Sequence, residues 1–74
     1  MKQDIAIDTP FIRLDAFLKL CRVVESGGRA KVLIQSGGVL LNGAVCLMRG
    51  KKLVAGDCVQ LCGEEDIYCV TQTD

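Results

Sequence analysis

Ser26-Gly27-Gly28-Arg29-Ala30-Lys31-Val32-Leu33-Ile34-Gln35-Ser36-Gly37-Gly38-Val39-Leu40-Leu41-Asn42-Gly43 decides the fold of this 74-residue chain. Ser26 has the side chain of a helix N-cap. Ala30, Leu33, Ile34 and Gly37 then recur at i, i+3, i+4, i+7, the inward stripe of a helix. Gly37-Gly38 supplies a left-handed stop. Val39–Leu41 and Ala44–Leu47 flank Asn42-Gly43, the strongest short-range hairpin signal.

Outward from this segment, Thr9-Pro10 predicts the start of a first helix, with Thr9 as N-cap and Pro10 in its first turn. That helix runs to about Cys21 on the stripe Leu14, Phe17, Leu18, Cys21. Arg22-Val23-Val24-Glu25 connects the two helices. Asp4–Asp8 alternates as a short strand with Ile5 and Ile7 facing in. Arg49-Gly50-Lys51-Lys52 is a basic turn, and Ala55-Gly56-Asp57 a second turn. Cys58–Cys62 is a strand with Val59 and Leu61 inward, Gly63–Asp66 an acidic turn, and Ile67–Thr71 a last strand able to pair with the first. One domain over residues 1–74 is expected, of class α+β: a two-helix hairpin packed on a small, mostly antiparallel β-sheet.

The net charge of zero conceals a strong polarity. Residues 11–52 hold eight Lys/Arg against Asp15 and Glu25, whereas residues 53–74 hold five acids and no base. A basic face on so small a domain is the footprint of a polyanion binder. An enzyme is not expected: there is no His, no Ser/His/acid set, no paired carboxylates and no nucleotide-binding glycine motif. No cofactor is implied.

Five cysteines, Cys21, Cys46, Cys58, Cys62 and Cys69, form an odd set without a signal peptide, which argues against a disulfide framework. Cys58 and Cys62 lie roughly 13 Å apart at strand rise, too far to chelate one ion. All five therefore read as reduced apolar side chains. Cys21, near Lys19 and Arg22, is the one candidate for a reactive thiol. Met1–Asp8 has acids where a signal peptide needs bases, and no apolar run can span a bilayer, so a cytoplasmic protein with no membrane partner is expected. The core stripes leave no apolar stripe over, so a monomer is expected. Phe11 and Tyr68 could stack on bases, but core packing is the expected assignment.

Arg13-Leu14-Asp15, Ser26, Ala30, Leu33-Ile34, Gly37, Val39, Leu41-Asn42-Gly43 and Val54-Ala55-Gly56-Asp57-Cys58-Val59 stand in one order with characteristic gaps. Over residues 12–61 this set resembles the S-four RNA-binding domain, named after ribosomal small-subunit protein four. The run Glu25–Lys31 is similar to that of the small stand-alone bacterial members. The resemblance implies the helix–helix–sheet fold called the αL motif. It also implies non-catalytic binding of structured RNA, ribosomal or transfer RNA, free or on a ribosomal particle. Many members carry Arg directly after the capping Ser, where this chain has Gly27.

Under that reading Ser26, Gly27 and Gly28 open the second helix toward a phosphate, make a tight turn between helices, or do both. Arg29 and Lys31 are the first choices for phosphate contacts. Arg13 matches the family's Arg, and either touches RNA or holds Asp15 or the acidic tail. Lys19, Arg22, Arg49, Lys51 and Lys52 extend the footprint. Asp15 orients a neighbouring base or caps backbone, and Asn42-Gly43 and Gly56-Asp57 are structural turns. The alternative is a protein-interaction module that docks an acidic partner through the same basic face. A β-grasp sulfur carrier, with a similar Leu-Asn-Gly segment, fails because the chain ends Val70-Thr71-Gln72-Thr73-Asp74 without Gly-Gly.

Overall fold

A computed structural model describes residues 1–73. Asn42 and Gly43 adopt φ of 50° and 87°, the two positive values of a type I′ turn. The turn joins β3 (Val39–Leu41) to β4 (Ala44–Val45). The strand expected over 44–47 stops early because β3 begins at Val39, directly after the helix stop. Cys46 still donates its N–H to the Val39 carbonyl, 3.1 Å away, and beyond it no pairing partner remains.

β6 (Cys58–Leu61) pairs antiparallel with β3 on one side and with β7 (Ile67–Gln72) on the other. β1 (Lys2–Ile7) joins β7 in parallel, so first and last strands do meet. The sheet order is β1-β7-β6-β3-β4, antiparallel except at that edge. The Asn42 side chain ties two turns together. Its Nδ2 donates to Asp57 Oδ1 at 3.1 Å and its Oδ1 accepts from the Cys58 N–H at 2.9 Å. Asp57 Oδ2 in turn accepts from the Val54 N–H at 2.9 Å.

α2 (Gly27–Gln35) forms as its sequence dictates. Ser26 is extended, and its Oγ accepts from the Arg29 N–H at 3.2 Å. Ala30 and Ile34 are buried. Gly37, at φ 84°, closes the helix while the N–H groups of Gly37 and Gly38 go to the carbonyls of Ile34 and Leu33. A Cβ on Gly38 would sit 2.8 Å from Leu33 Cδ1 and 3.1 Å from the Leu33 carbonyl oxygen, so a larger residue there would make Leu33 shift.

α1 (Leu14–Leu20) starts later than Thr9-Pro10 suggests. The Thr9 hydroxyl donates to the Phe11 carbonyl rather than capping a helix. The chain then runs extended as β2 (Ile12–Arg13), paired with β5 (Lys52–Leu53). Arg13 is the N-cap residue and gives no side-chain cap. The basic turn takes over that duty, because the N–H groups of Leu14 and Asp15 donate to the carbonyls of Lys51 and Arg49 at 2.8 and 3.0 Å. Strand pairing thus satisfies donors that a capping side chain would otherwise serve. The α1 stripe is as expected, with Leu14, Phe17 and Leu18 fully buried against α2, Val39, Leu53, Val59 and Val70.

Three expectations from sequence need correction. Cys58 and Cys69 are joined by a disulfide. They are register partners on β6 and β7, and the Cys58 N–H and carbonyl both turn toward Asn42 on the other side of the strand. This leaves Cys58–Cys69 a non-hydrogen-bonded pair with a Cα separation of 4.0 Å, where side chains approach closest. Of the free cysteines, Cys21 and Cys46 are half-buried and Cys62 is exposed. Second, Phe11 is exposed, whereas Tyr68 packs against the core as expected. Third, apolar surface is left over, with Val32 68 % and Met48 66 % exposed beside Val45 and Leu47, so the ground for expecting a monomer falls away. Among the described residues no helix is long and apolar enough to cross a membrane.

Candidate nucleic-acid interface

The first turn of α2 faces the first turns of α1 across a shallow cleft of about 240 Å³ lined by Arg13, Asp15, Ala16, Lys19 and Gly27. A nine-residue helix points the positive end of its dipole and its unpaired N–H groups at whatever lies before its N-terminus. Ser26 accepts from Arg29 through its hydroxyl and from Ala30 through its carbonyl. The remaining donors of that turn are those of Gly27 and Gly28.

Neither glycine is demanded by the fold. A Cβ on Gly27 would meet nothing within 4 Å, and one on Gly28 would meet only Ser26 Oγ at 3.9 Å. Neither has positive φ. Gly27 and Gly28 fill the first two positions of α2, where glycine costs less than the roughly 1 kcal/mol it costs in a helix interior. Neither a positive φ nor a close contact calls for glycine at either position.

Lys31 lies one turn beyond Gly27 and so on the cleft side of α2. Arg29 is roughly 200° around the helix from Gly27. It lines a separate apolar groove with Val23, Val24, Val32, Leu33, Ser36 and Leu61. The two residues singled out together by sequence thus stand on different faces. Arg22 ends α1 at φ 62°, with its N–H on the Lys19 carbonyl and that of Val23 on the Leu18 carbonyl. This is the termination that Gly37 gives α2, here made by a side chain that disfavours it.

The basic turn is docked onto the start of α1. Arg13 pairs with Lys52 in the β2–β5 ladder. The Arg13 guanidinium lies 3.7 Å from the position of a Cβ on Gly50 and 3.1 Å from Asp15 Oδ2. Arg49 Nε stands 3.9 Å from the same oxygen. Arg13, Lys19, Lys31, Arg49, Lys51 and Lys52 are all exposed; Arg13 and Lys19 line the cleft, whereas Lys51 lines a separate apolar pocket with Leu41, Val45, Leu47 and Met48. Lys52 Nζ sits 4.8 Å above the Phe11 ring, a cation–π contact. The contact was not legible in sequence, since β2–β5 pairing brings the two together from forty-one positions apart. The acidic turn is held elsewhere, at the β1 edge, where Asp66 lies 3.4 Å from the N-terminal ammonium.

Cys21 does not supply a reactive thiol. Burial pushes its pKa up to about 12 despite nearby bases, so it stays protonated at neutral pH.

Comparison with known proteins bears on this arrangement. A family model described as S4 domain matches residues 5–70. A "Probable ribosome maturation protein RlbA" of Bacillus subtilis (strain 168) is 44 % identical over 63 residues, covering 85 % of this chain and 89 % of the relative. The Ser-capped α2, the Asn-Gly hairpin and the Gly-Asp turn all fall within the matched span, and the chain belongs to the S4 domain family.

Proposed function

We propose that this protein binds structured RNA without catalysis, and that its target is ribosomal RNA in the cytoplasm, on a particle undergoing maturation. The observation that carries the reading is the bare α2 N-terminus: two glycines the fold does not need, opening onto a cleft flanked by Arg13 and Lys19. A phosphate oxygen can approach backbone N–H groups most closely where no side chain intervenes. Ser26, Gly27 and Gly28 form the seat. Arg13, Lys19, Lys31, Arg49, Lys51 and Lys52 supply the surrounding positive field, with Arg22 at its margin. Duplex RNA suits such a surface, because its phosphates and 2′-hydroxyls are presented in a fixed shape while its deep groove excludes side chains. The relative's name, a ribosome maturation protein, favours ribosomal over transfer RNA.

Binding of wild type to ribosomal RNA stem-loops and to transfer RNA, titrated from 50 to 200 mM salt, tests the reading. Affinity is expected to fall linearly with the logarithm of salt concentration. Preference for transfer RNA would redirect the target, and absence of binding at low salt would remove the reading. Gly28→Ala separates the seat from the fold. It is expected to raise stability by up to about 1 kcal/mol and yet weaken RNA binding several-fold. Urea midpoints and dissociation constants measured on one preparation check both halves.

A further inference from the structure

Asp15 is the one acid lining a cleft otherwise flanked by bases. In a site for a polyanion, a carboxylate subtracts from attraction. Asp15 also stands in the first turn of α1, where a carboxylate complements the helix dipole, but that role needs no arginine partners. Its environment is well defined. Oδ1 accepts from the Ala16 N–H at 2.8 Å. Oδ2 is shared between Arg13 at 3.1 Å and Arg49 at 3.9 Å. The Asp15 backbone N–H donates to the Arg49 carbonyl at 3.0 Å. Its side chain is 14 % exposed, whereas those of Arg13 and Arg49 are 51 % and 44 % exposed. One half-buried carboxylate oxygen therefore lies between two solvent-facing guanidinium groups from sequence positions 36 apart, hydrogen-bonded to Arg13 and within ion-pair reach of Arg49.

The geometry points to Asp15 as the specificity-determining residue of the interface, a positioning residue that holds Arg13 and Arg49 in one arrangement. This inference rests on the RNA-binding reading. A folded RNA presents phosphates at fixed spacing and gains from arginines already in place, because less ordering is lost on binding. A flexible polyanion, such as a single strand or heparin, can wrap around freed arginines equally well and is penalised by the extra negative charge. Asp15 thus trades total attraction for discrimination, which is a difference of affinities.

Asp15→Asn keeps the shape and an acceptor for the Ala16 N–H but removes the charge. It is expected to strengthen binding to oligouridylate and heparin about 3-fold to 10-fold, and to steepen the salt dependence by up to about one unit. Affinity for a ribosomal RNA stem-loop is expected to stay level or fall, so the ratio of structured to unstructured binding drops by at least about 3-fold. Asp15→Glu, with the charge on a longer arm, is expected to keep weak heparin binding without restoring stem-loop affinity. In nuclear magnetic resonance spectra the Nε–Hε signals of Arg13 and Arg49 are expected to shift in Asp15→Asn, a readout that a purely helix-stabilising role would not move. Arg49→Gln removes the second partner without touching α1 and is expected to lower the same ratio. If wild type binds the stem-loop and Asp15→Asn leaves the ratio unchanged, the positioning role is overturned alone. If wild type binds no stem-loop at low salt, the RNA reading falls and this role falls with it.

Discussion

Alanine at both Lys19 and Lys31 is expected to weaken binding to structured RNA by on the order of 30-fold at moderate salt, and to flatten its salt dependence by about two units. The two lysines approach the α2 N-terminus from different helices. Lys19 lines the cleft beside Gly27, and Lys31 stands one turn along α2 on the side that Gly27 faces. Each exposed ammonium that neutralises a phosphate releases about one condensed counterion, so removing both changes slope and affinity together. Arg29→Ala is the informative companion. Arg29 lies in the apolar groove with Val32 and Leu33, around the helix from the cleft. Its loss is expected to change affinity less than about 3-fold and the slope by under one unit. An Arg29→Ala effect equal to that of the lysine pair would place the RNA on the other face of α2. Both variants alter exposed side chains only, so their melting temperatures are expected to stay near that of wild type.

The contrast between Arg29 and Lys31 shows what a sequence of this kind discloses and what it withholds. Features set by local backbone chemistry were legible. These include the Ser26 cap, the Ala30–Ile34 stripe, the left-handed stop at Gly37 and the paired positive φ values of Asn42-Gly43. Each depends on residues a few positions apart. Features set by non-local pairing were not. Thr9-Pro10 has the composition of a helix start, but pairing of Ile12–Arg13 with Lys52–Leu53 pulls that stretch into a strand and defers α1 to Leu14. Strand pairing likewise makes Cys58 the partner of Cys69 rather than of Cys62, and exposes Phe11 beneath Lys52. The candidate interface shows the same division. Its residue list was visible as a surplus of bases, while its division into a cleft face and a groove face follows from helical phase. Joining of the basic turn to α1 follows from two backbone hydrogen bonds, to the carbonyls of Arg49 and Lys51, that no sequence pattern announces.

The cleft exists only because two short helices are held at a fixed distance, and Phe17 holds them. It is the largest of the fully buried side chains, on the α1 stripe between Leu14 and Leu18. The residues it packs among include small Ala30, which lets α2 come close, together with Ile34 and the sheet side chains Val39, Val59 and Val70. Phe17→Ala is expected to cost about 3–5 kcal/mol, the transfer of a buried ring plus the cavity it leaves. A domain of this size is stable by only about 4–11 kcal/mol, so the substitution removes a large share of folding free energy. The urea midpoint is expected to fall accordingly, with a sizeable unfolded fraction at 37 °C. RNA binding is expected to fall with the folded fraction and to return on cooling or on addition of a stabilising osmolyte. The lysine pair is expected to behave in the opposite way, folded at every temperature where wild type is folded and weak in binding throughout. Phe17→Leu, which keeps most of the volume, is expected to cost far less and to bind as wild type does. A Phe17→Ala protein that lost less than about 1 kcal/mol would mean that α1 and α2 are held together by something other than this core. One that stayed folded but lost RNA binding would mean that the buried ring sets the geometry of the cleft and not only the stability of the fold.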